Sequence, residues 1–266
     1  MNEQKAAGHL RGTLPEIGAE ALSVPLLRER MKVARAVVVR GLIKAPEVAL
    51  LSQGMERAFD AWDKPDSDPE WFHAYPHQYS IAIARGWARE QGGVLAVECP
   101  PMLERLRQAI RNAGLEPFIE SFLGETPVLS SAKTTLRLNP PETGGIGWHQ
   151  DGAFLGENAR TLNIWLALTP CGIDAPSLDI ALSRKDAVVG AGEDDADYAW
   201  SVGELRAMRE SPMVATPVLE PGDAILFDHL CLHRTAVLKA TQTRKAIESW
   251  FFAPGSLPPD YDAVPL

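Results

Sequence analysis

The chain has 266 residues, 45% of them hydrophobic and 23% charged, which is enough to bury a sizeable core and unlike a disordered or fibrous protein. Its formal net charge of -9 excludes the basic surface expected of a nucleic-acid binder. The N-terminal residues carry no apolar leader, and no later run approaches the ~18 apolar residues of a membrane span. We therefore expect a cytoplasmic protein that does not bind or span a membrane. The cysteines lack zinc-site spacing and are expected to be reduced and mostly buried.

Helices dominate the predicted elements of the first half of the chain. A short β-branched strand, Ala36 to Gly41, precedes a helix that opens at Pro46. A second helix runs from Pro101 to Gly114, and a third from Pro117 to Leu123. No repeat or linker divides the sequence, so residues 1–266 are expected to form a single domain.

Short strands dominate from about residue 127 onward. The segments are PVLSSAKTTLRL, IGWHQD, TLNIWLAL, SLDIAL, MVATPVL, DAILF, CLHRT and RKAIESWFF. Many short strands at this spacing are typical of a sandwich or jelly roll. One helix interrupts them from Ser201 to Arg209, where Ser201 and Glu204 form a capping-box pattern. We expect a mainly β protein with flanking helices, helix-rich over about 1–125 and barrel-like over about 126–254.

A histidine and an aspartate lie two residues apart in the segment Trp148-His149-Gln150-Asp151. In an extended chain, residues two apart point to the same side, so His149 and Asp151 could bind one ion. Such pairs arise often by chance, and this spacing alone is a weak signal.

A second histidine segment, Gly222 to Thr235, carries His229 and His233 four residues apart. Because its surroundings indicate strand, turn and strand, we expect only one of the two to be a metal ligand. Arg244 follows His233 by 11 residues, and an antiparallel hairpin could bring both side chains to one cavity. Two imidazoles and one carboxylate form the ligand set of non-haem Fe(II) oxygenases. An arginine at the cavity base suits the distant carboxylate of a 2-oxo acid.

Together, the segments TTLRLNPPETGGIGWHQD, NIWLAL and GDAILFDHLCLHRT, followed by Arg244, resemble the phytanoyl-CoA dioxygenase family of Fe(II)/2-oxoglutarate-dependent oxygenases. The resemblance covers roughly residues 134–252, with a weaker match in AVVVRGL. It implies a double-stranded β-helix (jelly roll, cupin-like) core, iron ligands at His149, Asp151 and His233, and an ion pair between Arg244 and the C5 carboxylate of 2-oxoglutarate. It also implies weaker cofactor contacts at Thr235, Trp165 and Thr135.

The resemblance implies Fe(II) as cofactor, 2-oxoglutarate as co-substrate and O2 as a further reactant. We expect hydroxylation of a small or medium-sized metabolite, natural-product intermediate or acyl thioester, with release of succinate and CO2. Desaturation, epimerisation and cyclisation stay open, whereas Asp151 disfavours halogenation because related halogenases carry a small residue there. The segment 175–184 departs from the family pattern near the substrate side and leaves the substrate open. The alternative is a jelly-roll metal- or ligand-binding protein, or a cupin-like isomerase without 2-oxoglutarate turnover.

Other candidate residues carry weaker signals. A proline between His73 and His77 interrupts the helix that a second metal site would need there. The stretch from Trp71 to Arg89 could form a pocket wall or pack as ordinary core and surface. Arg85 and Arg89 could meet an anionic substrate or lie on a solvated helix face. No hydrolase elbow or phosphate-binding loop is present in the sequence.

Overall fold

A computed structural model of the chain describes residues 10–66, 68–75, 85–190, 200–259 and 261–266. Its strands are β1 (Leu10–Gly12), β2 (Glu16–Gly18), β3 (Ala36–Arg40), β4 (Gly93–Leu95), β5 (Val128–Ser130), β6 (Thr135–Asn139), β7 (Thr161–Ala167), β8 (Leu178–Ala181), β9 (Met213–Ala215), β10 (Ala224–Phe227), β11 (His233–Thr235), β12 (Arg244–Phe252) and β13 (Ala263–Pro265). Its α-helices are α1 (Val24–Arg30), α2 (Ala45–Asp63), α3 (Arg85–Glu90), α4 (Pro100–Asn112), α5 (Leu115–Leu123), α6 (Gly152–Leu155) and α7 (Glu204–Glu210).

The strands form two sheets that enclose one apolar core. The smaller sheet has the order β1-β9-β8-β11, and the larger has β13-β5-β12-β7-β10-β3-β2, with β6 joining β12 to β4. Side chains from both sheets meet in one buried cluster that includes Trp165, Ile180, Phe227 and Trp250. This arrangement confirms the predicted jelly roll with flanking helices.

A helical layer covers the outer face of the larger sheet. Leu51 of α2, Met102 of α4 and Ile119 of α5 share a buried cluster with Leu162 and Leu166 of β7. Because β7 is covered on both faces, every one of its residues is buried, which explains the continuous apolar run NIWLAL. No helix within the described ranges is both long and apolar enough to cross a membrane.

The structure confirms the three helices predicted in the first half, which correspond to α2, α4 and α5. The predicted strand at Ala36 is β3, and the central strand β10 pairs with it on one side and with β7 on the other. The cysteines Cys99, Cys171 and Cys231 are free and buried, as expected. Burial raises the pKa of the Cys99 thiol to about 12.

The predicted capping box before α7 is wrong. Helix α7 begins at Glu204 after Gly203, and Ser201 forms a backbone bridge with His149 instead of a cap. The Glu204 carboxylate accepts hydrogen bonds from Trp148 Nε1, at 3.0 Å, and from the guanidinium of Arg234. It therefore ties α7 to the segment that carries His149, a long-range role that no local pattern could indicate.

Candidate active site

A cavity of about 410 Å³ lies within the jelly roll. Trp165 of β7, Phe227 of β10 and Arg244 of β12 line it from the larger sheet, and Leu178 of β8 and Thr235 of β11 line it from the smaller sheet. Inward-facing residues of both sheets therefore surround one space, as expected for a small barrel.

His149 and His233 line this cavity, and Asp151 lies beside them. Each offers one ligand atom, and these atoms lie within 4.8 Å of one another. The two histidines are held together by their backbones, because His149 N–H donates to His233 O at 2.9 Å and His233 N–H donates to His149 O at 3.0 Å. All three side chains are buried.

The backbone conformation that places Asp151 beside the histidines differs from the sequence prediction. The extended segment predicted for residues 146–151 holds at His149, which forms antiparallel bridges with Ser201 and His233, but is wrong at Asp151, which has the helical angles φ -63° and ψ -22° and precedes α6. The Gly152 N–H donates to His229 O at 2.7 Å, which closes this turn against the second histidine segment. A turn, and not strand alternation, brings the carboxylate beside the imidazoles.

The ring nitrogens of both histidines have defined roles. Nδ1 of His149 donates to Gly147 O at 2.8 Å, and Nδ1 of His233 donates to Cys231 O at 3.0 Å. A carbonyl oxygen can only accept, so Nδ1 carries a proton in both rings, which leaves Nε2 as the nitrogen that could bind a metal. Burial, reinforced by His233, lowers the pKa of His149 to about 3, so this imidazole is neutral at physiological pH.

Asp151 supplies the negative charge of the group. Burial alone would raise its pKa, but the neighbouring Lys133 ammonium holds the pKa below its usual value. Its Oδ2 atom is buried, has no hydrogen-bond partner among the described residues and lies 3.8 Å from His233 Nε2. Orphaned buried polar atoms are rare in proteins. Two imidazoles beside such a carboxylate fit a divalent transition metal such as Fe(II).

Arg244 is a buried cation without an ion-pair partner in the described part of the chain. Its Nε and Nη2 donate to Asn139 Oδ1 at 3.1 and 2.7 Å, and its Nη1 lies 3.5 Å from Pro176 O. Burial, together with the nearby Arg137, lowers the pKa of Arg244 to about 10, which leaves it charged at neutral pH. A buried charge of this kind is costly unless an anion pairs with it.

The other buried charges of the cavity are paired. Arg137 Nη2 lies 2.9 Å from Glu248 Oε2, and Lys133 Nζ lies 2.7 Å from Asp151 Oδ1. An added anion would therefore be attracted most strongly to Arg244.

The predicted hairpin between His233 and Arg244 is wrong. His233 lies on β11 of the smaller sheet and Arg244 on β12 of the larger sheet. The residues between them cross from one sheet to the other, as jelly-roll connections do, so the two side chains line the same cavity without strand pairing.

The weaker predicted cofactor contacts divide into two groups. Trp165 and Thr235 line the cavity, with the Trp165 ring centroid 5.8 Å from Arg244 Cζ. The hydroxyl of Thr235 accepts the Ile146 N–H at 3.2 Å. Thr135 is buried on β6 outside the lining of the cavity, and its hydroxyl donates to Lys133 O at 3.3 Å.

His229 lies apart from the group of three. Its ring nitrogens lie 3.1 Å from Thr161 Oγ1 and 3.0 Å from Glu157 O, so both are engaged in hydrogen bonds that fix the local chain. This agrees with the expectation that only one histidine of the second segment faces a metal.

Residues 76–84 of the stretch proposed as a pocket wall, among them His77, lie outside the described residues, as does the side chain of Arg85. His73 is described, and its backbone N–H donates to Glu98 O. Arg89 makes a double hydrogen bond to Asp63, both at 2.9 Å, which favours the solvated-face interpretation for this residue.

Several cavity residues were missed by sequence reasoning: Lys133, Arg137, Glu248, Phe154 and Trp200. A usable signal existed for Glu248, because it is a lone acid inside the apolar run AIESWFF. A charged residue within a fully buried strand needs a buried partner, which here is Arg137.

Comparisons with known proteins find one matching family and a set of similar solved structures. The family described as phytanoyl-CoA dioxygenase (PhyH) matches residues 36–246. No curated protein is significantly similar to the chain.

Solved structures with a similar fold include three that carry 2-oxoglutarate (alpha ketoglutarate). EctD from S. alaskensis with 2-oxoglutarate and 5-hydroxyectoine is 17% identical, with 96% of this chain and 87% of that chain covered and a TM-score of 0.62. EvdO2 from Micromonospora carbonacea var. aurantiaca with 2-oxoglutarate is 19% identical, covering 89% and 91%, with a TM-score of 0.60. The epimerase SnoN with Fe3+, alpha ketoglutarate and nogalamycin RO is 18% identical, covering 86% and 83%, with a TM-score of 0.59. At these identities the similarity shows a shared fold.

Proposed function

The chain belongs to the phytanoyl-CoA dioxygenase family, and from this premise we propose that it is a non-haem Fe(II)- and 2-oxoglutarate-dependent dioxygenase acting on a small or medium-sized organic substrate. One observation carries the proposal. His149 and His233, two members of a His-Asp-His donor group with an orphaned carboxylate oxygen, line the same cavity as Arg244, a buried cation without an ion-pair partner among the described residues.

His149 Nε2, His233 Nε2 and Asp151 Oδ2 would hold the metal. The backbone carbonyls of Gly147 and Cys231 fix the imidazole orientations, which is the usual role of groups behind metal ligands. When bound, Fe(II) supplies the activation of O2, coupled to conversion of 2-oxoglutarate to succinate and CO2. Three protein donors leave open positions for the oxo acid and for O2.

Arg244 would bind the distal carboxylate of 2-oxoglutarate. Asn139 fixes one edge of the guanidinium, and a carboxylate would bind the remaining donors as a charge-assisted pair. Thr235 and Trp165 line the same cavity, with the Trp165 ring near Arg244, and would contact the co-substrate. The corresponding role of Thr135 stays a prediction from the family pattern.

We propose hydroxylation as the reaction outcome. Asp151 occupies the position where related halogenases carry a small residue, which disfavours halide binding. The same fold also occurs in enzymes that catalyse other reactions, since similar structures include an epimerase and a carbocyclase. A cavity of about 410 Å³ lies in the range of small-molecule sites.

The test compares two oxo acids under anaerobic conditions. Fe(II)-loaded protein is titrated with 2-oxoglutarate and with pyruvate, which lacks the distal carboxylate, and the visible metal-to-ligand charge-transfer band is followed. Removing one partner of a buried charge pair costs about 2 to 5 kcal/mol, so Arg244→Met should weaken 2-oxoglutarate binding by about 30-fold or more. Pyruvate binding should stay unchanged, as should both affinities in Arg111→Gln, a control on an exposed face of α4.

Two results would contradict the proposal. Binding of iron without binding of either oxo acid would favour the alternative of a metal-binding module or an isomerase that does not use 2-oxoglutarate. Equal weakening of both oxo acids in Arg244→Met would show that Arg244 acts on the structure of the cavity and not on the distal carboxylate.

A further inference from the structure

Lys133 is a cavity residue whose charge the proposed reaction does not use. It lies in the turn between β5 and β6, where its backbone N–H donates to Ser130 Oγ at 3.2 Å. Its side chain is 7% exposed. Fixing a lysine in a buried site costs desolvation and rotamer entropy, so a structure that retains one needs a compensating interaction.

The compensating interaction is with one oxygen of Asp151. Nζ donates to Oδ1 at 2.7 Å, whereas Oδ2 has no hydrogen-bond partner in the described part of the chain and faces His233. The two oxygens of this carboxylate therefore have different surroundings. One is bonded to a cation, and the other is free to bind a metal.

Two aromatic rings also lie near the ammonium. Nζ lies 4.6 Å from the Phe154 ring centroid and 5.7 Å from that of Trp250, distances typical of cation–π contacts. These contacts hold the ammonium against Asp151, which favours a fixed structural bond over a contact with substrate.

We propose that Lys133 is a positioning residue that keeps Asp151 a one-oxygen metal ligand. This inference rests on the proposed function. A carboxylate with two free oxygens can bind a metal through both. The second oxygen would then take one of the three positions that a chelating oxo acid and O2 require. By occupying Oδ1, Lys133 keeps that position open.

The first experiment counts open positions without relying on turnover. Protein is loaded with Mn(II), and the longitudinal relaxivity of water protons is measured, since it rises with the number of exchangeable waters on the ion. Lys133→Met, a variant of similar length without a donor, should lower the relaxivity by about a third, because two positions remain instead of three. Lys133→Arg, which keeps a charged donor, should retain the wild-type value.

The second readout is the affinity of the Mn(II)-loaded protein for 2-oxoglutarate. We expect Lys133→Met to weaken it by about 10- to 100-fold, in line with the losses of metal affinity or activity found when groups behind metal ligands are replaced. If Lys133→Met still binds Mn(II) and has the wild-type relaxivity, the proposed role of Lys133 is refuted, whereas the proposed function is not. Failure of the wild-type protein to bind Mn(II) would overturn the proposed function as well.

If Lys133→Met does not fold, as judged by circular dichroism, a crystal structure of the Mn(II)-loaded wild-type protein decides. The inference predicts that Nζ stays on Oδ1 and that only Oδ2 binds the ion. Both oxygens on the ion would refute it.

Discussion

Replacing Glu248 tests whether the buried charges of the cavity are as tightly paired as the structure indicates. Glu248 and Arg137 form an ion pair at 2.9 Å with side-chain exposures of 11% and 9%. Trp250 Nε1 also donates to Glu248 at 3.0 Å. In Glu248→Gln the amide can still accept from Trp250, but the buried guanidinium of Arg137 loses its counter-ion. Breaking a buried pair in this way costs about 3 to 5 kcal/mol.

The pH dependence gives an independent measure of the same interaction. Burial alone would raise the pKa of Glu248, but Arg137 and Lys133 outweigh burial and lower it to about 2. The unfolded value is about 4.3. Because the folded pKa is depressed, the stabilisation is fully present above about pH 4.3 and is lost as the pH falls towards 2. The full shift corresponds to about 3 kcal/mol, in agreement with the cost of breaking the pair.

Urea unfolding followed by tryptophan fluorescence measures both effects. At pH 7 we expect Glu248→Gln to lower the free energy of unfolding by about 3 kcal/mol, and at pH 3.5 the difference from wild type should shrink by about 1 kcal/mol. Glu104→Gln, an exposed glutamate paired with Arg111 on α4, should change stability by less than about 0.5 kcal/mol. A loss below about 1 kcal/mol at pH 7, or a difference independent of pH, would refute the reasoning.

The remaining predictions concern the metal ligands and one turn. His149→Ala and Asp151→Ala should each abolish succinate formation while the far-ultraviolet circular dichroism stays at the wild-type level, and turnover that persists in either variant would remove that residue from the mechanism. Gly222 has φ +96°, and a Cβ built on it would lie 2.3 Å from Ile43 O. Gly222→Ala should therefore cost more than about 1 kcal/mol of stability in thermal unfolding. Gly144→Ala, where a Cβ meets no atom within 4 Å, is the matched control, and equal melting temperatures in the two variants would contradict the prediction.

The parts of the site that the sequence predicted are those carried by local segments. His149, Asp151 and His233 each lie in a short pattern, and Arg244 lies at a fixed distance after the last of them. The run TLNIWLAL is likewise predicted to be a strand, and its burial on both faces explains why it lacks the polar alternation of an exposed strand. Local patterns of this kind are visible without knowing which strands pair.

The parts that the sequence could not predict depend on strand pairing and on turns. Arg137 meets Glu248 because β6 pairs with β12, and the two residues lie 111 positions apart. Lys133 meets Asp151 only because a turn before α6 directs the carboxylate towards the β5–β6 connection. The crossing between the sheets after His233 also had no local signal, and a hairpin prediction was therefore wrong.

A crystal structure grown without oxygen in the presence of Mn(II) and 2-oxoglutarate would test the central claim most directly. The account predicts an anomalous peak for the ion bound by His149 Nε2, His233 Nε2 and Asp151 Oδ2, with the distal carboxylate of 2-oxoglutarate against the guanidinium of Arg244. An ion bound elsewhere, or an oxo acid whose distal carboxylate lies away from Arg244, would contradict it.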